Sequence, residues 1–184
     1  MTPAPPWLGP FERAMAQDRP QLRAHAATVS GDGVPWLHTV TFRGVLGDGT
    51  PWFCADTRAR TAEHLDVGLP HLALLVPFDA TGQQFRLTGR GRVHAVFADP
   101  PWSTVRASAW ATMPEAERAA FVMPAPGHPL VEVEPRVSPE EPPPTFAVVS
   151  LHVTEVDWFV DGPPARRASF RLVGATWLTQ WLNP

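Results

Sequence analysis

The sequence predicts a mainly β protein: a small antiparallel β-barrel with helices at its rims. Three observations carry that prediction. Apolar runs of strand length recur along the chain, several with alternating polarity. Tight-turn signals such as Gly31-Asp32-Gly33 and Gly47-Asp48-Gly49 separate them. Beyond a short N-terminal helix, helix-forming segments are inserted after the third and the fifth run. With 184 residues, 44% of them hydrophobic and 8 Trp, the chain reads as one domain over residues 1–184.

In order, Phe11 to Gln17 reads as a short amphipathic helix stopped before Pro20. Arg23 to Ser30, Trp36 to Leu46 and Trp52 to Ala55 then form a three-stranded meander through the two Gly-Asp-Gly turns. Thr57 to Val67 carries helix formers, with Gly68 and Pro70 as stop signals. Leu72 to Phe78 is apolar almost without a break, as in a buried strand. After Ala80-Thr81-Gly82, the stretch Gln83 to Phe97 alternates. It places Phe85, Leu87, Gly89 and Gly91 on one face and Gln84, Arg86, Thr88 and Arg90 on the other.

Asp99 to Phe121 predicts two helices broken near Met113-Pro114, with Asp99 as N-cap, Pro100 at the first helical position and Thr112 capping the second. Met123 to Thr145 holds Pro124, Pro126, Pro129, Pro135, Pro139 and Pro142 to Pro144, so it is a loop packed on the surface. Phe146 to Phe159 is strand-like, and Asp161 to Pro164 is a turn. Ser169 to Val173 and Thr176 to Leu182 close the chain as a hairpin around Gly174.

Composition excludes several chemistries. All 15 basic residues are Arg and there is no Tyr. Without lysine there is no Schiff-base lysine and no Walker P-loop. Any anion must be held by guanidinium forks or backbone amides. The single cysteine, Cys54, permits no internal disulfide, and with no activating histidine near it in sequence it reads as a strand residue rather than a nucleophile. The seven histidines show no i, i+4 pair, so no metal is expected. A net charge of −3 gives no footprint for nucleic acid. The Pro-rich start lacks the basic and apolar regions of a signal peptide, and no apolar run is long enough to span a bilayer, so a cytoplasmic location is expected.

Four stretches could carry a ligand. In His38 to Arg43, extended geometry puts His38, Val40 and Phe42 on one face and Thr39, Thr41 and Arg43 on the other. That suits a polar ligand, while the pattern alone favours a barrel strand with a solvated outer face. Cys54 to Thr61 places Arg58 and Arg60, with Thr57 and Thr61, where a strand hands over to a helix. Free amides, the helix dipole and guanidinium groups there suit a phosphate; the alternative is an ordinary N-cap at Asp56 or Thr57. On the strand Gln83 to Gly89, Gln84 has an amide able to read the N–H and C=O edge of a ring. Phe121 to Gly127 is a rigid, apolar loop that would cover a flat aromatic ligand or simply a hydrophobic patch.

In their order and spacing, Val40-Thr41-Phe42-Arg43-Gly44, Ala55-Asp56-Thr57-Arg58, Gln84 to Gly89 and Phe121 to Gly127 resemble the FMN-binding split-barrel family related to pyridoxamine 5′-phosphate oxidase, in its short oxidase-like branch. The resemblance runs from about Trp7 to Pro184. It implies a Greek-key antiparallel split barrel, FMN as cofactor, and a homodimer with FMN at the subunit interface. It also implies site roles: His38, Thr39, Val40 and Thr41 along the ribityl chain and ring, Arg43, Arg58, Arg60 and Thr61 at the phosphate within the stretch that starts at Cys54 and Ala55, and Gln84 at the ring edge.

The chain departs from that family at three positions, with His38 for arginine, Ala59 for serine and Thr61 for lysine. Ala165-Arg166-Arg167 stands where such oxidases carry Arg-x-His, and their pocket tyrosine cannot exist here. The expectation is therefore an FMN-dependent oxidoreductase acting on a small molecule other than a vitamin B6 phosphate. The alternative is a degenerate split-barrel dimer with weak or no FMN binding, acting as a binding or structural protein.

Overall fold

A computed structural model describes residues 4–18, 22–67, 69–132, 137–138 and 140–184. Its elements run α1 (Leu8–Met15), β1 (Arg23–Val29), β2 (Pro35–Val45), β3 (Pro51–Asp56), α2 (Arg60–Val67), β4 (Leu69–Phe78), β5 (Gln83–His94), α3 (Trp102–Thr112), α4 (Glu115–Ala119), β6 (Phe146–Val160), β7 (Arg166–Val173) and β8 (Thr176–Leu182).

All strand pairings are antiparallel. The sheet order is β3-β2-β1-β4-β5-β6-β7-β8, and an extra β3–β6 pairing closes six of the strands into a barrel. After the β1–β2–β3 meander the chain returns to lay β4 beside β1, the Greek-key order the sequence resemblance implies. β6 makes closure possible because its two halves serve different partners. Phe146 to Ser150 pairs with β3, while Glu155 to Val160 pairs with β7. The closing hairpin thus extends the sheet outside the barrel.

Period-two patterning fixes which face is inside. Along β5, Phe85, Leu87, Gly89 and Gly91 are buried and Arg86, Thr88 and Arg90 exposed, as the alternation predicts. The inward glycines are there for space. A Cβ on Gly91 would lie 2.7 Å from Leu65 of α2, and one on Gly89 would lie 1.9 Å from the His152 carbonyl oxygen at a break in the β5–β6 register.

One helix closes each end of the barrel. α1 inserts Phe11, fully buried, with ring centroids 5.7 Å from Phe42, 5.1 Å from Phe78 and 5.0 Å from Phe85. α2 packs Ala62 and Leu65 inward together with Thr61 and His64. A second cluster, Ala109, Trp110, Met113, Phe121 and Phe146, seats α3 and the loop after α4 on the barrel wall.

The helix-capping expectations need correction. α3 begins at Trp102, after both prolines, and Asp99 serves it through its backbone carbonyl, which accepts from the Trp102 and Ser103 N–H groups. Thr112 does not cap α4 either. Its hydroxyl bonds back to the Ser108 and Ala109 carbonyls, and Pro114 occupies the N-cap. The Thr112 hydroxyl finds its acceptors in the preceding turn of its own helix. α1 starts three residues earlier than predicted, since Leu8 belongs to its buried face. The expected stop signals Pro20 and Gly68, like Pro135 and Pro139 of the surface loop, lie outside the described residues.

Candidate functional site

The ligand-bearing stretches gather around β2, the β3–α2 junction and α2. Along β2, His38 pairs in register with Ala26 of β1, which pairs with Leu74 of β4, and both of those face the barrel interior. His38 therefore shares their inward row and feels the field of His64 and Arg60 of α2, while Thr39 belongs to the outer row with His25, Leu75 and Arg86. His38 Nε2 is buried with no hydrogen-bond partner. Leaving such a group unsatisfied costs about 1–3 kcal/mol. Burial, His64 and Arg60 all push the His38 ring toward its neutral form.

His64, which sequence reasoning passed over, is buried and shares a 2.9 Å hydrogen bond with the Thr28 hydroxyl. It lies one helical turn after Arg60, so both project from one side of α2; that i, i+4 spacing is the signal that marks it. The Arg60 guanidinium lies 3.9 Å above the Trp36 ring, and the Trp36 and His64 rings are 6.2 Å apart. No described carboxylate is within ion-pair distance of Arg60. Thr61, next in sequence, is buried at the start of α2. Trp36, His38, Arg60, Thr61 and His64 thus make a cationic, polar corner where the helix N-terminus meets the barrel mouth.

The other two predicted phosphate arginines are engaged elsewhere. Arg58 is clamped by its neighbour: its backbone N–H and Nε donate to Asp56 Oδ1 at 2.8 and 2.9 Å, and Nη2 donates to Oδ2 at 2.6 Å. That carboxylate raises the Arg58 pKa. Arg43 is the extra residue of a bulge, because Phe42 pairs with Phe53 and Gly44 with Trp52. The bulge re-aims Arg43, and its guanidinium pairs with Glu117 of α4 while its Nε stays buried and unpartnered. The Cys54 thiol shares that environment, and burial raises its pKa to about 12, which keeps it protonated and unreactive.

The remaining predicted positions are spread along the wall. Val40 and Ala55 pack against the main core, Thr41 is half-buried and Thr39 exposed. Gln84 is half-buried at the opposite end of β5, where it pairs with Pro77 and Phe159. It is three strands from β2, roughly 14 Å at the usual strand spacing. One chain therefore assembles His38, Arg60 and Thr61, ties up Arg43 and Arg58, and leaves Gln84 apart.

Residues 4–95 match the family model for the pyridoxamine 5′-phosphate oxidase FMN-binding domain, which takes in every one of these positions. The chain belongs to that family. Three solved structures share the fold. A pyridoxamine 5′-phosphate oxidase-related, FMN-binding protein from Nostoc punctiforme is 28% identical, with complete coverage of both chains and a TM-score of 0.87. PhzG from Burkholderia lata, solved with tetrahydrophenazine-1-carboxylic acid, is 19% identical over 97% of this chain and 89% of its own, with a TM-score of 0.72. A heme-binding protein from Mycobacterium smegmatis, 19% identical, shares the fold at a TM-score of 0.50 over 92% of this chain and 57% of its own. No curated protein sequence matches the chain. Among the described residues no helix is long and apolar enough to cross a membrane.

Proposed function

We propose that this chain binds FMN, with the flavin phosphate held at the α2 end of the barrel by Arg60, Thr61 and His38. The carrying observation is the combination found there: a guanidinium with no ion pair among the described residues, a helix N-terminus, and a buried imidazole nitrogen lacking a partner. A buried imidazole nitrogen without a partner beside a guanidinium with no described carboxylate partner fits an anionic group better than it fits an empty surface. The 28% identity to an FMN-binding protein over the full length supports the same reading, as does the family match.

When bound, the flavin supplies the electron-transfer chemistry. The chain's residues position it. Arg60 is held in place by stacking on Trp36, so little side-chain freedom is lost when it takes an anion. Thr39, Val40 and Thr41 offer a wall of backbone and hydroxyl along β2, and Gln84 offers an amide to the far end of an elongated ligand. Arg43 and Arg58 act mainly as structural cations, pinning α4 and the β3–α2 turn through Glu117 and Asp56. We assign no catalytic acid or base.

The same reading makes the protein a cytoplasmic homodimer over residues 1–184 with flavin between subunits, acting as an oxidoreductase on a small molecule. Exposed apolar side chains support a partner surface: Leu37, 70% exposed, and Trp36 on β2, with Leu178 and Trp181, 63% exposed, on β8. The internal pairing of Arg43 and Arg58 favours one rival, a barrel that has kept the scaffold but lost flavin affinity. Adding FMN to purified protein separates the two. FMN binding quenches flavin fluorescence, shifts its visible bands and raises the melting temperature; the rival gives no change in any of them.

A further inference from the structure

We propose that the α2 end seats a phosphomonoester with uptake of a proton by His38, which lies beside His64 and Arg60, so that flavin affinity is set by pH through this one imidazole. This rests on the FMN reading above and deepens it. The geometry is a corner with two imidazoles and one guanidinium. His38 enters from β2 with Nε2 buried and unpartnered, His64 enters from α2 anchored on Thr28, and Arg60 lies over Trp36 beside them. The charged and titratable groups next to His38 and His64 are Arg60 and Glu63 from α2 and Asp32 from the β1–β2 turn; these three, with His64, Ser30, Val34 and Trp36, line an adjoining cleft of about 320 Å³, and His38 is not part of that lining. Asp32 is already committed to the Ser30 hydroxyl.

Without a ligand the corner disfavours a second positive charge. Burial first, then His64 and Arg60, hold the His38 pKa below the ordinary histidine value, so His38 is neutral near pH 7. A phosphate dianion reverses the sign of the local field. It stabilises imidazolium on the group it faces and so raises that group's pKa. Linkage then requires proton uptake on binding, and affinity that falls as pH rises through the complex's own pKa. A permanently charged arginine would give the same grip with no proton exchange.

The experiment measures FMN and riboflavin dissociation constants by fluorescence quenching from pH 6.5 to 8.5 on the full chain, a range above the phosphate's second pKa of about 6. Calorimetry in two buffers of different ionisation enthalpy counts the protons. Wild type should take up close to one proton with FMN and none with riboflavin, and FMN affinity should fall by up to about tenfold per pH unit. His38→Arg should bind FMN at least as tightly at pH 8.5 with a flat profile, and His38→Gln should be flat and weak. FMN binding by wild type with no proton uptake and no pH slope overturns the proposal while leaving the flavin assignment intact. If neither wild type nor His38→Arg binds FMN at any pH, the flavin assignment itself fails. The proton count is made on unmodified protein, so it stands even if a variant folds poorly.

Discussion

The two ends of the barrel are closed by helices of the same length and opposite character. α1 plugs one end with aromatic rings: Phe11 and Trp7 are fully buried, and Phe11 meets three phenylalanines edge-on or tilted. α2 plugs the other end with Thr61 and His64 alongside Ala62 and Leu65. An apolar plug serves stability alone. Each end also holds a buried nitrogen with no partner, the Trp7 indole among aromatic rings at the α1 end and the His38 imidazole at the α2 end, so the ends differ in the titratable and cationic side chains gathered at α2. The difference teaches where to look for an anionic ligand: at the end where apolar packing has been traded for imidazole, hydroxyl and guanidinium groups.

That contrast can be broken or sharpened by substitution. The largest expected effect is Phe11→Ala, which leaves an aromatic-sized cavity at the α1 end and should cost about 3–5 kcal/mol in urea unfolding. Flavin affinity, corrected for the folded fraction, should not change. A comparable loss of affinity in that variant would mean that the two ends are not separate. Next is the polar wall beyond α2, where His94 stacks on Trp102 at 4.4 Å and bonds Ser150 at 2.8 Å. Burial pushes its pKa down to about 4. The unfolded chain takes up this proton near pH 6.5 and the folded chain does not, so stability is present above that pH and lost as pH falls toward 4. Between pH 7.5 and 5 the loss should be about 2 kcal/mol, and His94→Gln should remove most of that dependence.

Arg60→Ala touches the α2 end without opening a cavity. It should weaken FMN about 10- to 100-fold, the worth of one charge-assisted contact, with under about 1 kcal/mol change in stability. Arg58→Ala should do the reverse, disturbing the β3–α2 turn more than the affinity. Smallest is Cys54, where a thiol with pKa about 12 should react with an aromatic disulfide in native protein at least about tenfold more slowly than in urea.

The sequence made the fold legible because strand patterning is local: alternation along β5 and the Gly-Asp-Gly turns of the meander need no knowledge of distant residues. β6 was readable as a strand, but its double service to β3 and β7 was not, since nothing local shows which edge each half meets. The site was half legible. Spacing marked Arg58, Arg60 and Thr61 as a group at a strand-to-helix junction. It did not show that Asp56 folds back onto Arg58, or that a bulge hands Arg43 to Glu117, 74 residues away. Those pairings depend on tertiary contact, and they decide which arginine stays available. Similarly, His64 acquires meaning only because α2 docks it against Thr28, 36 residues upstream.

The most direct test compares thermal shifts produced by FMN and by riboflavin on wild type and on Arg60→Ala. If the cationic corner grips the phosphate, FMN raises the wild-type melting point well above riboflavin, and the gap closes in Arg60→Ala. Equal shifts from the two flavins on wild type, or an FMN shift untouched by losing Arg60, would contradict the account.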